Sequence, residues 1–199
     1  MKTLLLPADT GLDDKPEARQ LLEQTRDKKQ EISMSKTSDN LAAAFAGESQ
    51  ANRKYLAFAK KAGQDGYPEI SRLFRAAAEA ETVHAHAHLR AMNGVKDTKE
   101  NVKAAIAGEH HEFMSMYPEF LKTAEDEKHA AATMSFRYAL AVEKIHHDLY
   151  SEALKALEAG KDLPKREVYV CPVCGNTVYD AAPDQCAICK AKGSTFIRI

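Results

Sequence analysis

The stretch AAFAGE at residues 43–48 occurs a second time as AAIAGE at residues 104–109, 61 positions further along the chain. Five of the six residues are identical in the two copies. A second pattern, Glu-x-x-His at residues 81–84, recurs 62 positions later at residues 143–146. A repeat that carries both segments predicts two copies of one helical hairpin, so that the first and second helices correspond to the third and fourth.

The repeated segments bring acidic and histidine side chains to matching positions. Residues three apart lie on one face of a helix, and each Glu-x-x-His pair would lie opposite a helix with a single repeated glutamate. Ferritin-like four-helix bundles hold a carboxylate-bridged pair of metal ions with this set of side chains. Carboxylates with one imidazole per metal favour iron or manganese, and the cations offset the cost of burying four acids. The predicted ligands are Glu48, Glu81, His84, Glu109, Glu143 and His146.

Two adjacent histidines compete for one of these positions. A spacing of four residues also places two side chains on one helical face, so His147 is an alternative to His146 as the partner of Glu143. The register of the repeat favours His146. The other histidines occupy no repeated position, and we interpret them as surface or structural residues, except that His88, one turn after His84, is a candidate hydrogen-bond partner for a ligand.

Three further residues lie near the predicted site. Glu112 follows Glu109 by three residues, where the first copy has Ala51, so it is a seventh candidate ligand on one side only. Such asymmetry would open one metal to a substrate; the alternative is a solvated glutamate. Tyr55 and Tyr117 follow the two repeated glutamates by seven and eight residues. Either tyrosine is a candidate hydrogen-bond donor to a ligating carboxylate or simply a core residue.

The spacing of glycine and proline predicts long helices. Only 9 glycines and 7 prolines interrupt the chain, and the segments between them are rich in good helix formers. Four helices are expected: from a capping group at residues 37–39 to Gln64, from Pro68 to residues 93–94, from residues 97–98 to about 125, and from about 126 to 159. Pro118 is expected to kink the third helix. The predicted fold class is mainly α, a ferritin-like four-helix bundle with a small C-terminal rubredoxin-like β/metal domain.

Changes in composition along the chain suggest three parts. Residues 1–36 form a highly charged N-terminal extension, predicted to be a surface helix or a partly disordered tail. Residues 37–165 form the helical di-iron bundle. From about residue 166 the sequence turns to Val, Tyr, Cys and Thr with short turns, which predicts a small metal domain over residues 166–199.

Composition also excludes several classes of protein. A net charge of −1 gives no basic surface for nucleic acid, and no run of about 18 apolar residues is present to cross a membrane. The N-terminal segment lacks a signal-peptide core, so a cytoplasmic location is expected. Four cysteines in 199 residues are too few for a disulfide scaffold, and in a reducing compartment they remain free or bind metal.

All four cysteines lie in two short knuckles near the C-terminus. CPVCG at residues 171–175 and CAIC at residues 186–189 are separated by 11 residues and provide a complete tetrahedral thiolate site. The spacing fits iron and zinc equally well. A di-metal site in the same chain favours iron, which would carry single electrons. The predicted ligands are Cys171, Cys174, Cys186 and Cys189.

These motifs, in this order, resemble the rubrerythrin family over about residues 37–199. The resemblance rests on FAGESQA at residues 45–51, AGExxE at residues 107–112, both Glu-x-x-His pairs and the CPVCG knuckle. It implies that Glu112 joins the di-iron ligands named above as a mobile carboxylate, that Tyr55 and Tyr117 support the ligands, and that the four cysteines hold a rubredoxin-like iron. The family's glycine after the second knuckle is replaced by Lys190, which is expected to affect the redox potential.

The resemblance implies a non-haem di-iron peroxidase that reduces hydrogen peroxide to water and protects against oxidative stress. An external NAD(P)H-linked reductase or a rubredoxin would supply electrons through the thiolate-bound iron. Because a long bundle would place that iron far from its own di-iron site, a homodimer or higher homo-oligomer is expected, with one subunit's cysteine domain facing the other's bundle. The alternatives are a ferroxidase or iron-handling protein and a zinc-stapled regulatory protein.

Overall fold

The computed structural model describes residues 35–199, which fall into two compact units that divide between Val95 and Lys96. The expectation for the N-terminal extension therefore lies outside the described residues, apart from its last two positions. No helix among the described residues is both long enough and apolar enough to span a bilayer.

The first unit contains a hairpin of two long helices. Helix α1 spans Lys36–Gln64 and helix α2 spans Pro68–Ala91, with Pro68 in the first turn as predicted. The predicted cap at residues 37–39 is wrong, because those residues already lie in the first turn of α1. The side chain of Ser35 caps the helix instead, accepting a hydrogen bond from the Ser38 N–H at 3.2 Å. The buried residues of the hairpin are small, mainly alanines, which let the two helices approach closely.

The second unit begins with a matching hairpin whose first arm is interrupted. Helix α3 spans Thr98–His111, a π-helical turn spans Glu112–Met116, and helix α4 continues over Tyr117–Asp126. Helix α5 spans Ala130–Glu158 and packs against α3 and α4. The predicted start of α5 at about residue 126 is wrong, because Lys128 adopts a left-handed conformation (φ +57°) that separates the two helices.

The π-helical turn has a cause that is visible in the repeat. Glu48 and Glu109 are 61 positions apart, whereas Tyr55 and Tyr117 are 62 apart, so the second copy contains one extra residue between those positions. A π-turn is the form in which an α-helix accommodates one inserted residue. It keeps the side chains on either side of the insertion in their helical positions. Pro118, which cannot donate the regular helical hydrogen bond, is the second residue after this turn.

Aromatic side chains show how closely the two hairpins correspond. In the first hairpin Tyr55 and Phe58 of α1 pack on Phe74 of α2, with ring centroids 5.6–6.4 Å apart. The second hairpin repeats this group 62 residues later, with centroids 5.7–6.3 Å apart, at Tyr117, Phe120 and Phe136. The insertion therefore leaves the aromatic packing of the second copy intact.

A small sheet follows the second hairpin within the same compact unit. Strands β1 (Val168–Val170), β2 (Thr177–Tyr179) and β3 (Ile197–Arg198) form an antiparallel sheet in the order β2-β1-β3. The four cysteines lie in the turns of this sheet, and we call residues 168–198 the cysteine module. Strand β2 contacts α5, where Val142 is almost fully buried.

Candidate metal centres

The first hairpin gathers three predicted ligands into one cluster, which we call the first half-site. It consists of Glu48 from α1 and of Glu81 and His84 from α2, with ligand atoms within 4.8 Å of one another. Nδ1 of His84 lies 3.0 Å from a Glu81 carboxylate oxygen and 4.0 Å from a Glu48 oxygen. The three side chains are partly exposed, and His84 is the most exposed of them.

The second hairpin repeats this geometry in a second half-site. Glu109 from α3 meets Glu143 and His146 from α5 within the same 4.8 Å limit. Nδ1 of His146 lies 2.8 Å from a Glu143 oxygen and 4.0 Å from a Glu109 oxygen. The two half-sites thus contain the same groups at nearly the same distances. In both of them, Nδ1 is the ring nitrogen directed at the carboxylates.

The carboxylates of the second half-site carry an unfavourable concentration of negative charge. Burial, followed by a hydrogen bond and negative charge from Glu143, raises the pKa of Glu109 to about 7. Crowded carboxylates of this kind either retain a proton or bind a cation. Hard oxygen donors combined with an imidazole nitrogen suit iron. The donor set of each half-site therefore fits the metal that the sequence predicted.

The three other predicted site residues are not members of either half-site within residues 35–199. Glu112 is the first residue of the π-helical turn and is not part of the second half-site as the described residues define it. Burial raises the pKa of the Glu112 carboxyl, and the charge of Glu143 raises it further. Burial also raises the pKa of Tyr117, with added contributions from Glu112, Glu143 and Glu109. Tyr55 belongs to the aromatic group of the first hairpin.

The structure separates the two competing histidines. His146 faces Glu143, whereas Nδ1 of His147 lies 3.2 Å from a carboxylate oxygen of the exposed Asp148. The His147 ring packs against Phe113, with centroids 5.3 Å apart. The geometry therefore places His146, and not His147, among the candidate ligands, in agreement with the register of the repeat.

The four cysteines converge as the spacing predicted. Sγ of Cys171 lies 3.5 Å from Sγ of Cys189, and Sγ of Cys174 lies 3.6 Å from Sγ of Cys186. These separations are much longer than a disulfide bond of about 2.05 Å. They approach the edge of a sulfur tetrahedron with metal–sulfur bonds of about 2.3 Å, which is about 3.8 Å. All four thiols are free.

Backbone and side-chain N–H groups stabilise negative charge on the cysteine cluster. Burial disfavours the Cys186 thiolate, but N–H groups of Cys189 and Ile188 outweigh it and lower the pKa of Cys186 to about 6. The buried side chain of Asn176 also donates to Sγ of Cys186 at 3.6 Å. Burial raises the pKa of Cys174. These hydrogen bonds therefore favour the thiolate form of Cys186, and binding of a metal displaces the protons that remain on the cluster.

The two knuckles have the same backbone turn despite their different sequences. Gly175 has a φ of +86°, and its N–H donates to the Cys171 carbonyl at 2.9 Å. Lys190 has a φ of +64°, and its N–H donates to the Cys186 carbonyl at 3.1 Å. The replacement of glycine by Lys190 therefore preserves the turn, although a side chain in this conformation costs about 1–2 kcal/mol.

The position of the cysteine module differs from the sequence-based expectation. The module was expected to lie far from the di-iron ligands of its own chain. Instead, Oγ1 of Thr177, three residues after Cys174, lies 3.1 Å from Nε2 of His146. Gly175 also lies against Val142 of α5. The expectation, which rested on the length of the bundle, is wrong for this chain because the C-terminal segment turns back along α5 after the helix ends.

The described residues contain two matched carboxylate–histidine half-sites in long helices and a cluster of four thiols. These features define a ferritin-like di-iron protein with a rubredoxin-like metal module. Sequence comparison identifies the family. The family model described as Rubrerythrin matches residues 39–154, and the model described as Rubrerythrin, rubredoxin-like domain, matches residues 169–197. The chain belongs to the rubrerythrin family.

Individual relatives agree with this assignment. Rubrerythrin-2 of Clostridium acetobutylicum is 37% identical over 80% of this chain and 95% of its own length. Nigerythrin of Nitratidesulfovibrio vulgaris is 32% identical over 80% of this chain and 85% of its own. Among solved structures, partially reduced nigerythrin is 30% identical, covers 84% of this chain and 91% of its own, and superposes with a TM-score of 0.50. Another similar solved structure is that of fully reduced nigerythrin, in which all the iron is ferrous.

The comparisons confirm the predicted fold class, mainly α with ferritin-like helices and a small rubredoxin-like domain. They also confirm the predicted cofactors, since the two kinds of cluster match the di-iron and rubredoxin-like iron sites of the family. The protein is thus an iron-binding member of a family of oxidoreductases.

Sequence reasoning missed two features of the site. The π-helical turn at Glu112 was implicit in the change of repeat spacing from 61 to 62 residues. The contacts of Asn176 and Thr177 had no sequence signal, because the first depends on how the module folds on itself and the second on how it packs against α5.

Proposed function

We propose that this protein is a peroxidase that reduces hydrogen peroxide to water at the di-iron site, with electrons delivered through the cysteine module. The observation that carries the proposal is the 3.1 Å contact between Thr177 of the module and His146 of the second half-site. The iron of the cysteine module can transfer one electron at a time, and its place beside the second half-site suits it to reduce the di-iron site again after each two-electron reaction. In this arrangement residues 37–165 supply the reaction site and residues 166–199 the electron relay.

The reaction needs two electrons and two protons for each hydrogen peroxide that is converted to two water molecules. Bound iron ions would supply the redox chemistry. The residues that would hold them are the four cysteines and the members of the two half-sites, Glu48, Glu81, His84, Glu109, Glu143 and His146. The side chains around the site must orient the substrate and transfer the protons.

Glu112 is the proposed proton carrier. Its carboxyl is partly buried at the start of the π-helical turn, where burial and the charge of Glu143 favour its protonated form. A carboxyl that holds a proton near the site can give it to the departing oxygen. The phenol of Tyr117 remains protonated because burial and three nearby carboxylates raise its pKa. It is proposed to hold a ligand carboxylate or the substrate by donating a hydrogen bond, and Tyr55 is proposed to do the same in the first hairpin.

The homo-oligomer is also a proposal, and the composition of the buried core supports it. No leucine, isoleucine, phenylalanine or methionine within residues 35–199 is buried. Helices of 29 residues such as α1 and α5 are stabilised mainly by packing of their apolar faces, and a second copy of the chain offers matching faces.

We further propose that the protein acts in the cytoplasm, where metal-bound thiolates are protected from oxidation to disulfides.

A steady-state assay tests the peroxidase proposal. The iron-loaded protein receives NADH, a reductase and hydrogen peroxide, and NADH oxidation is followed. Glu112→Ala is expected to lower turnover about 100-fold, because a positioned proton donor contributes about that much. Cys171→Ser is expected to abolish turnover by removing the electron entry site. Glu119→Ala, which alters an exposed glutamate of the same arm, serves as the control.

Normal turnover in both the Glu112 and Cys171 variants would contradict the proposal. The alternative function, ferroxidase activity, makes a different prediction. A ferroxidase would oxidise added ferrous iron with many turnovers and would not need Cys171, since iron itself supplies the electrons. The same Cys171→Ser variant therefore distinguishes the two functions.

A further inference from the structure

Both ring nitrogens of His146 have partners. Nδ1 lies 2.8 Å from a Glu143 oxygen, and Nε2 lies 3.1 Å from Oγ1 of Thr177. The same threonine hydroxyl lies 3.1 Å from the carbonyl oxygen of Gly175. A chain of hydrogen bonds therefore runs from the first cysteine knuckle to a candidate metal ligand.

The direction of these hydrogen bonds follows from the number of protons. The Gly175 carbonyl can only accept, so the single proton of the Thr177 hydroxyl is donated to it. The threonine oxygen must then accept from His146, which requires the proton of the neutral imidazole to be on Nε2. This tautomer leaves Nδ1 without a proton, so Nδ1 donates no hydrogen bond to Glu109 or Glu143, and its lone pair and their oxygens can instead bind one metal ion.

The first half-site provides an internal comparison. His84 presents Nδ1 to Glu81 at 3.0 Å, as His146 does to Glu143. However, no side chain within residues 35–199 forms a hydrogen bond with Nε2 of His84, and 56% of the His84 side chain is exposed against 28% for His146. Within the second unit, the cysteine module thus gives His146 a second hydrogen-bond partner.

We infer that Thr177 is a positioning residue for the metal site, which fixes His146 in the tautomer and orientation that bind metal through Nδ1. Partners of this kind in the outer shell of a metal site typically change metal affinity by about 10- to 100-fold. The inference rests on metal binding at the second half-site, which the family assignment supports. It does not depend on peroxide being the substrate.

Valine is the appropriate replacement for Thr177. It has the same shape and the same preference for a strand, so the pairing of residue 177 with Val170 in the sheet is retained. A smaller residue would be less informative, because His146 and Thr177 line a cavity of about 330 Å³. Water entering the vacated space would restore the hydrogen bond to Nε2.

The test measures metal retention and not turnover. Full-length protein loaded with ferrous iron is titrated with a coloured ferrous chelator, and iron in the cysteine module is followed separately by its thiolate absorption after oxidation. Thr177→Val is expected to weaken iron binding at the carboxylate–histidine site about tenfold or more. Thr177→Ser keeps the hydroxyl and is expected to bind within about twofold of the wild type.

Thr195→Val is the matched control, since Thr195 lies in the same module and bonds only to the carbonyl of Lys192. The inference is overturned if Thr177→Val retains iron as the wild type does, or if Thr195→Val loses it equally. A second measurement needs no variant. In zinc-loaded wild-type protein with ¹⁵N-labelled histidine, NMR is expected to show the His146 proton on Nε2 and zinc on Nδ1, and the reverse assignment would refute the inference.

Discussion

Lys190 illustrates how strongly the tetrathiolate site constrains single residues. Its φ of +64° is a conformation that glycine adopts without strain, and the equivalent residue of the first knuckle is Gly175. The knuckle requires this turn because the N–H of the residue after the second cysteine bonds back to the carbonyl of the first. The geometry of the site thus overrides the conformational preference of the residue.

Gly193 is constrained by space and not by its dihedral angles. A Cβ atom at this position would lie 1.7 Å from the carbonyl oxygen of Pro183, which belongs to the backbone and cannot move aside. We expect Gly193→Ala to destabilise the cysteine module by at least about 3 kcal/mol. Iron content and the thiolate absorption band measure the outcome.

The neighbouring variant Ser194→Ala is the control for this prediction, because Ser194 is exposed. It should retain its iron and its absorption band. Full iron retention in Gly193→Ala would show that the loop around Pro183 can rearrange.

Glu109 makes the stability of the metal-free protein depend on pH. Its pKa is about 7 in the folded state and about 4.5 when unfolded, so between these values the folded chain holds more protons. Stability therefore falls as pH rises from about 4.5 to 7. In urea unfolding of metal-free protein, the wild type should lose stability relative to Glu109→Gln over this range. A difference between them that does not vary with pH would contradict the assignment.

Among the secondary-structure elements, the two helical hairpins share one arrangement of candidate ligands and aromatic side chains. Each places two carboxylates and an imidazole on facing helices next to a group of three aromatic rings. The second hairpin also contains the π-helical turn and makes a contact with the cysteine module of its own unit. The symmetric parts correspond to metal ligation, and the asymmetric parts to proton and electron delivery in the proposed mechanism.

Equivalent glutamates of the two hairpins should contribute equally to iron binding. We expect Glu81→Gln and Glu143→Gln each to remove most of the di-iron content, because both sets of carboxylates are needed to balance the metal charge. The iron of the cysteine module should remain, so the total falls from about three ions per chain towards one. Metal analysis measures this. Glu79→Gln, on the same helix as Glu81 but exposed, should retain all the iron.

The π-helical turn should tolerate the removal of one residue. Deleting Ser115 in a Pro118→Ala background restores the spacing of the first hairpin and allows a regular α-helix. Deleting Lys54 from α1 instead rotates every following side chain by about 100° relative to Glu48. We expect thermal unfolding to change little for the Ser115 deletion and by many degrees for the Lys54 deletion. Equal damage by both deletions would disprove the origin that we assign to the π-turn.

At the scale of the whole molecule, the helices and the cysteine module depend on different forces. The module has very short strands, and two of its few buried residues are the candidate ligands Cys171 and Cys186. A segment of this size is held together chiefly by its metal. The hairpins, by contrast, are held by contacts along helices of up to 29 residues.

Metal removal should therefore unfold the protein in two stages. When iron is removed with a chelator under reducing conditions, we expect residues 166–199 to become sensitive to protease while the helical circular dichroism is largely kept. Restoring iron should restore protection. Loss of the helical signal together with that of the module would show that the two parts fold as one cooperative unit.

Features that depend on local spacing follow from the amino-acid sequence alone. A glutamate and a histidine three apart must share a helical face, and two Cys-x-x-Cys knuckles must converge if they bind one metal. The side chains that cluster in the structure could therefore be named in advance as candidate ligands. The one-residue difference between repeat spacings was also present in the sequence. The helix limits were predicted to within a few residues, except where a left-handed residue at Lys128 delayed the start of α5.

Only the tertiary structure decided which parts of the chain meet. The module turns back onto α5 and places Thr177 on His146, 31 residues earlier in the chain. No periodicity encodes such a contact, because it depends on the direction that the chain takes after α5 and on the fit of Gly175 against Val142. The chemistry of each centre can thus be derived from its ligands, whereas the connection between the centres exists only in the folded protein.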